Sequence, residues 1–559
     1  MTDELLDRAQ HWADHDPDER TRAALTASIE AARAGDSGAL DEIRAAMAGP
    51  LEFGTAGLRG RIGPGESRMN LAVVIRATAG LCAFLAKATD RAPRVVIGCD
   101  ARHGSVDFAR AAARVVSAAG GTALVLPERN PTPLTAFAVR RFDADAGIMV
   151  TASHNPAQDN GYKVYLGGTV VTDAGQGAQI VPPYDADIAT AIAAAPPADQ
   201  VPQDSAHIER IDPRDDYVAA AAALAPDAPA KADLAITFTA MHGVGATLLE
   251  RALREAGFTR IHSVAEQAEP DPDFPTVSFP NPEEPGALDL AMAQAGANGS
   301  DLIIAVDPDA DRCALAVPDA SADTGWRQLS GDEIGSLLGE YLAADAPDGS
   351  VLANSIVSSR LLERIARGHG LDYRHTLTGF KWIARTPGLR FGYEEAIGFC
   401  PDPACVRDKD GIATAVVAAS LFAGLKAEGR TGLDELERIA RAYGLYMTAP
   451  LTFRVDSLDL IAEGMERLRN NPPQSLAGSP VASVTDLSNG WDGLPGTDAI
   501  MVVTEADDRV IARPSGTEPK LKCYLEVVLP VEDGAPVPWD EARARLDAIA
   551  AEFGPAIGI

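Results

Sequence analysis

The chain has 559 residues, with 49 Lys and Arg against 80 Asp and Glu, and a formal net charge of −31 at pH 7. A chain of this length is too long to fold around one hydrophobic core. At about 150 residues per domain, three or four domains are predicted. The acidic balance argues against broad nucleic-acid binding, and no stretch approaches the roughly 20 uninterrupted apolar residues of a membrane span.

The N-terminus and the cysteines indicate the compartment. The first residues, MTDELLDRAQHWADHDPDE, lack the basic start and the apolar centre of a secretory signal. The six cysteines show no CxxC spacing and no disulfide-dense framework. We therefore expect a cytoplasmic protein with reduced thiols and no membrane partner.

Residues 1–48 are predicted to form a helical extension, because apolar and charged residues recur at helical spacing in DPDERTRAALTASIEAARAG and DEIRAAMAG. Beyond it, the apolar runs RVVIGCD, TALVLP and AGIMVTAS alternate with helical patterns. This alternation predicts an α/β domain over residues 49–205 with a largely parallel sheet.

The alternation restarts twice and then changes. After a proline-rich acidic stretch, LAITFTAMHGVGATLLERALREAG and DLIIAV predict a second α/β domain over residues 206–320. Another alternating block predicts a third over 321–433. In the last block, 434–559, period-2 segments and a final helical pattern predict an α+β domain.

The first chemical motif is TASHNP at 151–156. It follows the apolar run AGIMV, so Ser153 is placed at the carboxyl end of a strand, where open α/β sheets bind ligands. A serine hydroxyl can carry a phosphoryl group if cations neutralise the charge, and His154 and Lys163 are the nearest candidates. The alternative is an ST-turn or a helix cap.

The second motif, DPDADR, places Asp307, Asp309 and Asp311 at alternate positions after a strand. Its proline opposes a helix, and a curled loop can direct three carboxylates to one hard cation, for which Mg²⁺ is the natural candidate. An EF-hand would need glycine and glutamate where this chain has Arg312 and Pro318. The alternative is a solvated acidic turn, in which Arg312 offsets the repulsion.

The third and fourth motifs offer groups for a phosphate and a sugar. RPSGTEPKLK at 513–522 has the parts of an anion nest, or else of a hairpin turn with basic flanks. GYEEAIG at 392–398 is predicted to be a glycine-bounded loop whose carboxylates can accept hydrogen bonds from sugar hydroxyls. The alternative is a solvent-facing turn. Three further glycine-bounded segments are phosphate contacts or plain loops: those of Arg59 and Arg61, of Asp100 and Arg102, and of Lys381.

Together these segments resemble the α-D-phosphohexomutase family from about residue 50 to about residue 530. Its four signature loops occur in family order: TASHNP, DPDADR, a GEESFG-like loop and RPSGT. The resemblance implies four domains around a central cleft, of which three are similar α/β domains with mixed sheets and the C-terminal one is α+β.

The resemblance also implies roles for individual residues. Catalysis would fall to Ser153 as the phosphoserine, with His154, Lys163 and Arg59, and metal binding to Ser153, Asp307, Asp309 and Asp311. Substrate binding would fall to Glu394, Glu395, Lys381, Gly379, Arg312, Arg513, Ser515, Gly516 and Thr517. Asp100 and Arg102 match the family pattern less closely.

The implied activity is that of an isomerase, an intramolecular phosphotransferase. Phosphorylated Ser153, bound to Mg²⁺, would convert a hexose 1- or 6-phosphate of glucose or mannose to a 1,6-bisphosphate. The reoriented bisphosphate would then return its other phosphate. Glucose 1,6-bisphosphate would be the activator, and Lys163 or His154 would manage the proton. The sugar phosphate is the expected partner, and the protein is expected to be a monomer or a homodimer.

One departure bears on the substrate. Where many family members have GEES, this chain has YEEA, so Ala396 replaces a serine. GYEEAIGF, TGFKWIA and RPSGTEPK resemble the branch with phosphopentomutase and the second type of phosphoglucomutase. A phosphopentomutase is therefore the alternative. A catalytically silent sugar-phosphate-binding homologue would have lost the serine or a metal aspartate, and this chain keeps them all.

Overall fold

The structure, a computed structural model, describes residues 2–54, 57–226, 229–455, 457–514 and 520–558. The chain divides into two compact units. The first comprises residues 1–329, 379–391 and 397–427, and the second comprises 330–378, 392–396 and 428–559.

The first unit begins with three helices: α1 (Thr2–Asp14), α2 (Glu19–Arg33) and α3 (Ser37–Ala46). Asp18 and Asp36 precede α2 and α3, and their carboxylates accept hydrogen bonds from backbone N–H groups of the first turn. Leu6, Leu25 and Ile29 belong to a small separate core. The helical pattern predicted before residue 48 is confirmed.

A seven-stranded sheet follows in the first unit, in the order β1-β5-β4-β2-β3-β7 with β6 on β5. Its strands are β1 (Leu58–Arg61), β2 (Arg94–Cys99), β3 (Thr122–Val125), β4 (Ala146–Val150), β5 (Asp159–Leu166), β6 (Ala178–Gln179) and β7 (Ile208–Arg210). Strands β4, β2, β3 and β7 are parallel, whereas β5 is antiparallel to β4, β1 and β6. The sheet is therefore mixed, with a parallel centre.

Four helices accompany this sheet: α4 (Leu71–Ala88), α5 (Ser105–Ala118), α6 (Thr132–Arg141) and α7 (Tyr184–Ala193). By length and composition α4 is apolar enough to cross a membrane, with a mean hydropathy of 1.7. However, Val74, Leu81 and Leu85 of α4 are fully buried in the core of this sheet. The hydropathy of α4 is that of a core helix.

A five-stranded sheet, also in the first unit, has the order β12-β11-β10-β8-β9. Its strands are β8 (Ala235–Thr239), β9 (Arg260–Ser263), β10 (Leu302–Val306), β11 (Cys313–Pro318) and β12 (Trp326–Gln328). Strand β8 is parallel to β9 and β10, and β11 is antiparallel to β10 and β12. The unit also contains α8 (Arg214–Ala222), α9 (Ala246–Glu255), α10 (Asp289–Asn298), α13 (Phe380–Ile383), β16 (Gly398–Cys400) and α14 (Gly411–Ala427).

The second unit contains α11 (Gly331–Ala343), α12 (Leu361–Gly368) and α15 (Gly432–Tyr443), with β13 (Val351–Ser355) parallel to β14 (Asp372–Thr376). Strand β15 (Leu389–Glu394) ends in this unit. A capping box of Ser330 and Glu333 starts α11.

The last part of the second unit is an antiparallel six-stranded sheet in the order β17-β22-β21-β20-β19-β18. Its strands are β17 (Leu445–Arg454), β18 (Ser475–Leu476), β19 (Ser479–Asp486), β20 (Ile500–Thr504), β21 (Arg509–Pro514) and β22 (Lys520–Leu529). Helices α16 (Leu458–Asn470) and α17 (Trp539–Ile557) share a core with it that includes Leu468, Leu525 and Phe553. The predicted α+β character of the C-terminal block is confirmed.

Candidate active site

Ser153 lies in a tight turn just beyond the end of β4. Its φ of 53° is in the left-handed region, which non-glycine residues rarely adopt and which is common at functional sites. The Ser153 N–H donates to Thr151 Oγ1 at 2.8 Å, so Thr151 makes the ST-turn. The turn alternative and the functional prediction are thus compatible, because the turn uses the Thr151 hydroxyl and not that of Ser153.

Arg102 forms hydrogen bonds with the backbone of this turn. Its guanidinium donates to the carbonyl oxygens of Ser153 and Pro156 at 2.6 and 2.7 Å, and also to that of Asn155. Asp100 in turn accepts from the Arg102 N–H at 2.9 Å. The Arg102 side chain, predicted as a possible phosphate contact, therefore bonds the backbone of the serine turn.

The three aspartates of DPDADR follow β10 and are all buried. One carboxylate oxygen from each lies within 4.8 Å of the others, and Ser153 Oγ donates to Asp307 Oδ2 at 2.8 Å. The four predicted metal ligands therefore lie together. The alternative of a solvated acidic turn is wrong.

The carboxylates of this triad fit a hard divalent cation. Asp309 Oδ1 and Asp311 Oδ1 are buried and have no hydrogen-bond partner among the residues that the structure describes. Orphaned buried carboxylate oxygens are costly unless a cation offsets them. Oxygen ligands of this kind are those that hard cations prefer.

Two lysines face the triad. Lys163 Nζ, on β5, is fully buried and lies 2.8 Å from Asp309 Oδ2 and 2.7 Å from Asp311 Oδ2. Lys409 Nζ lies 3.3 Å from Asp311 Oδ2. Sequence reasoning missed Lys409, although it stands in a charged segment, RDKDG, directly before an apolar helix.

Thr132, at the start of α6, was also missed. Its hydroxyl donates to Asp309 Oδ2 at 2.6 Å and its N–H donates to the Asp309 carbonyl oxygen at 2.9 Å. A threonine at a helix start carries no signal of its own in sequence, because such residues are common caps.

Burial sets the protonation of the groups around Ser153. Burial lowers the pKa of His154 well below its ordinary value, and the nearby Arg312 and Arg59 lower it further. Burial also opposes the charge of Lys163, but Asp309 and Asp311 outweigh it and raise the pKa of the lysine. His154 is thus neutral, with Nδ1 3.2 Å from Ser153 Oγ, and Lys163 is charged.

The other predicted residues of the first unit make local contacts. Arg59, on β1, donates to Asn155 Oδ1 of the serine turn at 3.2 Å. The Arg312 N–H donates to Asp307 Oδ1 at 3.0 Å. Gly379 has a φ of 112° and precedes α13, so Lys381 stands in a one-turn helix and not in a loop.

In the second unit the two glutamates of GYEEAIG differ. Glu394 is the last residue of β15 and not part of a loop, and it is 8% exposed. Glu395 Oε2 accepts hydrogen bonds from Ser355 Oγ at 2.9 Å and Ser358 Oγ at 3.1 Å. The carboxylate of Glu395 is therefore hydrogen-bonded within the fold.

The predicted phosphate loop lies between two strands, as expected. Arg513 belongs to β21, where it pairs with Lys522 of β22. Ser515, Gly516 and Thr517 lie outside the described residues. Their role in phosphate binding stays a prediction.

Models of known protein families match most of this chain. The sequence matches the phosphoglucomutase/phosphomannomutase alpha/beta/alpha domains I, II and III over residues 50–195, 215–320 and 330–443, and the C-terminal domain over 465–538. It is 45% identical over 462 residues to a "Probable phosphomannomutase" of Haemophilus influenzae, covering 82% of this chain and 93% of that protein.

Two further relatives extend the comparison. The human phosphopentomutase is 34% identical over 550 residues, covering 89% of this chain and 88% of that protein. The crystal structure of a phosphoglucomutase/phosphomannomutase family protein from Burkholderia thailandensis has the same fold, with a TM-score of 0.67 at 20% identity, covering 91% of this chain and 97% of that one.

The α/β domains, with a buried serine beside a carboxylate triad, define a mutase of the isomerase class. The chain belongs to the phosphoglucomutase/phosphomannomutase family. The predicted resemblance to this family is thereby confirmed.

Proposed function

We propose that the protein interconverts the 1- and 6-phosphates of a hexose, glucose or mannose, through a phosphorylated Ser153 and a 1,6-bisphosphate. The observation that carries this proposal is the hydrogen bond from Ser153 Oγ to Asp307 Oδ2 at 2.8 Å inside the buried triad. The relative with 45% identity, named a phosphomannomutase, supports a hexose.

The residues around Ser153 account for the transfer. Ser153 and the three aspartates would hold Mg²⁺, which when bound supplies positive charge to the transferring phosphoryl group. Lys163 adds a fixed positive charge at the same place. The P–O bond to Ser153 breaks as the sugar hydroxyl forms a new one, and that hydroxyl loses its proton.

His154 is a better candidate than Lys163 for accepting the proton of the sugar hydroxyl. The neutral imidazole of His154 has one unprotonated ring nitrogen that can accept a proton, whereas Lys163 is held protonated by two carboxylates. Microscopic reversal returns the proton when Ser153 is phosphorylated again.

The rest of the predicted residues would bind the substrate. Glu394 would accept hydrogen bonds from sugar hydroxyls, and the 513–517 loop would bind the phosphate that is not reacting. Arg59, Arg312, Gly379 and Lys381 would contact the sugar phosphate. Glucose 1,6-bisphosphate would prime Ser153. We also propose that the domains of the chain end at residues 48, 205, 320 and 433.

A phosphopentomutase is the second candidate, because Ala396 replaces the family serine and the human phosphopentomutase is 34% identical. Parallel assays on glucose, mannose and ribose 1-phosphates, with Mg²⁺ and glucose 1,6-bisphosphate present, separate the two. A kcat/KM higher for ribose 1-phosphate than for both hexose phosphates would replace the hexose proposal.

The phosphoserine is tested by labelling. After incubation with radiolabelled glucose 1,6-bisphosphate and Mg²⁺, we expect label on the peptide that contains Ser153. Ser153→Ala should lose both label and turnover while its circular dichroism is unchanged. Ser420→Ala is the matched control, because that buried hydroxyl has no hydrogen-bond partner in the described part of the chain. Turnover that survives in Ser153→Ala would refute the mechanism, and an unlabelled wild type would indicate the silent homologue.

A further inference from the structure

The turn that connects β8 to α9, residues 240–245, lies against the DPDADR loop. Strand β8 is the parallel neighbour of β10, so the segments that follow the two strands lie at the same edge of the sheet. The Val244 N–H donates to the Pro308 carbonyl oxygen at 2.8 Å. A Cβ atom on Gly245 would lie 2.7 Å from Ala310 Cβ. The turn therefore approaches both residues that flank the middle aspartate.

The backbone of this turn has an unusual conformation. Met241 and His242 have φ values of 50° and 59°, in the left-handed region that non-glycine residues rarely adopt. Ala310, in the loop that the turn contacts, has a φ of 55°. Such conformations persist only where the surrounding structure holds them, and they concentrate at functional sites. Bonds from outside the turn must therefore hold it.

Gln267, just beyond β9, supplies several of these bonds. Strand β9 is the other parallel neighbour of β8. The Gln267 carbonyl oxygen accepts from the His242 N–H at 2.9 Å, and its side-chain Oε1 accepts from Thr239 Oγ1 at 2.6 Å. The Thr239 hydroxyl in turn accepts from the Met241 N–H at 3.0 Å. Gln267 is 1% exposed, so water does not replace these bonds.

Thr276 connects the side chains of Gln267 and His242. Its Oγ1 accepts from Gln267 Nε2 at 2.8 Å and lies 2.8 Å from His242 Nε2. The His242 carbonyl oxygen accepts from the Asp271 N–H at 3.0 Å. Both polar atoms of the Gln267 amide thus have partners in one network, and the loss of this amide would leave buried polar groups unsatisfied.

The network reaches the metal site through backbone bonds. Gln267 bonds to the 240–245 turn, the turn bonds to Pro308, and Pro308 stands between Asp307 and Asp309. Groups that hold metal ligands in place from outside the coordination sphere typically cost about 10- to 100-fold in metal affinity when they are lost. The Gln267 amide carries no charge, so its effect on the loop is one of geometry.

We propose that Gln267 and His242 are positioning residues that fix the DPDADR loop for Mg²⁺ through the 240–245 turn. The inference rests on the proposed function, in which the three aspartates of this loop hold the ion.

Gln267→Met tests this role, because methionine keeps the approximate volume of the side chain and removes both polar atoms. Calorimetric titration of the full-length protein with Mg²⁺, in the absence of sugar phosphate, measures the affinity. We expect Kd to rise about tenfold. An unchanged Kd, or a wild type that binds no Mg²⁺, would overturn the proposal.

Gln294→Met is the matched control. Gln294, on α10, donates from Nε2 to the Ser263 carbonyl oxygen at 2.8 Å, a bond outside the network. This variant should keep the Kd of the wild type even where its unfolding midpoint falls. An equal rise in Kd in both variants would show that a general loss of stability weakens binding, and would also overturn the proposal.

Thr276→Val remains informative should Gln267→Met fail to fold, because Thr276 is exposed and valine has nearly the same shape. The substitution removes the hydroxyl that Gln267 and His242 share. We expect the Kd for Mg²⁺ to rise about threefold. An unchanged Kd in this variant would contradict the proposal.

Steady-state kinetics separate positioning from catalysis. In Gln267→Met the Mg²⁺ concentration that gives half-maximal turnover should rise about tenfold, while kcat at saturating Mg²⁺ stays within about twofold of the wild type. A low kcat that saturating Mg²⁺ does not restore would contradict a positioning role. A wild type inactive on every sugar phosphate would refute the proposed function, while calorimetry would still decide the role of Gln267.

Discussion

Lys163 lies where no water reaches it, and its ammonium group is the direct partner of Asp309 and Asp311. Sequence reasoning identified it as a cation near Ser153. It could not show that Lys163 faces the aspartates, because 146 residues separate it from Asp309. Only the packing of β5 against the DPDADR loop brings these charges together.

Lys163→Met should therefore be strongly destabilising in the absence of metal. The variant leaves two buried carboxylates without the lysine that they share, and we expect the free energy of unfolding to fall by about 3–5 kcal/mol. Urea unfolding in EDTA measures this loss. Lys426→Met is the control, because the Lys426–Asp301 pair is partly exposed and should contribute about 0–1 kcal/mol. Equal losses in the two variants would show that the buried Lys163 ion pairs contribute no more to stability than the partly exposed pair.

Asp410 predicts a pH dependence. It accepts hydrogen bonds from the Tyr217 hydroxyl at 2.7 Å and the Ala413 N–H at 2.9 Å, and burial raises its pKa to about 7. Since the unfolded value is near 3.8, the folded state binds an extra proton between these two values. The contribution of Asp410 to stability is thus complete below about pH 4 and is lost as pH rises to about 7.

Asp410→Asn should remove this dependence. The free energy of unfolding of the variant, relative to wild type, should increase by about 4 kcal/mol as pH rises from about 4 to about 7. Denaturant titrations at several pH values within this range measure the difference. A difference that stays constant with pH would show that Asp410 is ionised throughout.

At the scale of elements, the connection between β4 and β5 shows what the sequence contained and what was missed. Residues 151–158 join the two strands, and a parallel pair needs a crossover of a dozen or more residues. The strands are therefore antiparallel, and the serine turn is a hairpin connection. The expectation of a largely parallel sheet treated NGYKVY as a motif and not as a strand.

Gly243 tests how closely two loops must approach. It precedes α9, and a Cβ atom at this position would lie 2.3 Å from Pro308 Cα, within the DPDADR loop. Gly243→Ala should displace that loop, lower the free energy of unfolding and weaken metal binding. Calorimetric titration with Mg²⁺ measures the affinity.

Gly424→Ala is the control for this substitution. Gly424 is in helix α14 and nothing lies within 4 Å of the added methyl group, so the change should stabilise the helix by about 1 kcal/mol. Equal Mg²⁺ affinity in both variants would show that the approach of Gly243 does not position the metal loop.

At the scale of the whole molecule, the site depends on segments from several parts of the sequence. Ser153 follows β4, the triad follows β10, and Lys409 precedes α14. A cation bound to groups so distant in sequence stabilises the folded state and not the unfolded chain, which cannot assemble them.

Mg²⁺ should therefore raise the thermal unfolding midpoint. At a concentration of 100 times Kd the gain is about 2.7 kcal/mol. Scanning calorimetry in Mg²⁺ and in EDTA measures it. Asp311→Asn should abolish the shift whatever its effect on the metal-free protein, and a shift that persists in this variant would exclude the triad as the metal site.

The sequence by itself determined the N-terminal helices, the α/β and α+β character of the later blocks, the four motifs and the positions of Ser153 and the three aspartates at strand ends. Those conclusions depend on local periodicity and on the rule that ligands lie at the carboxyl ends of strands. Tertiary structure alone decided that Thr132 and Lys409 contact the triad and that Arg102 bonds the serine turn. It also decided that the Glu395 carboxylate is hydrogen-bonded within the fold. Nothing in the local sequence specifies those contacts, because each depends on buried groups far away along the chain.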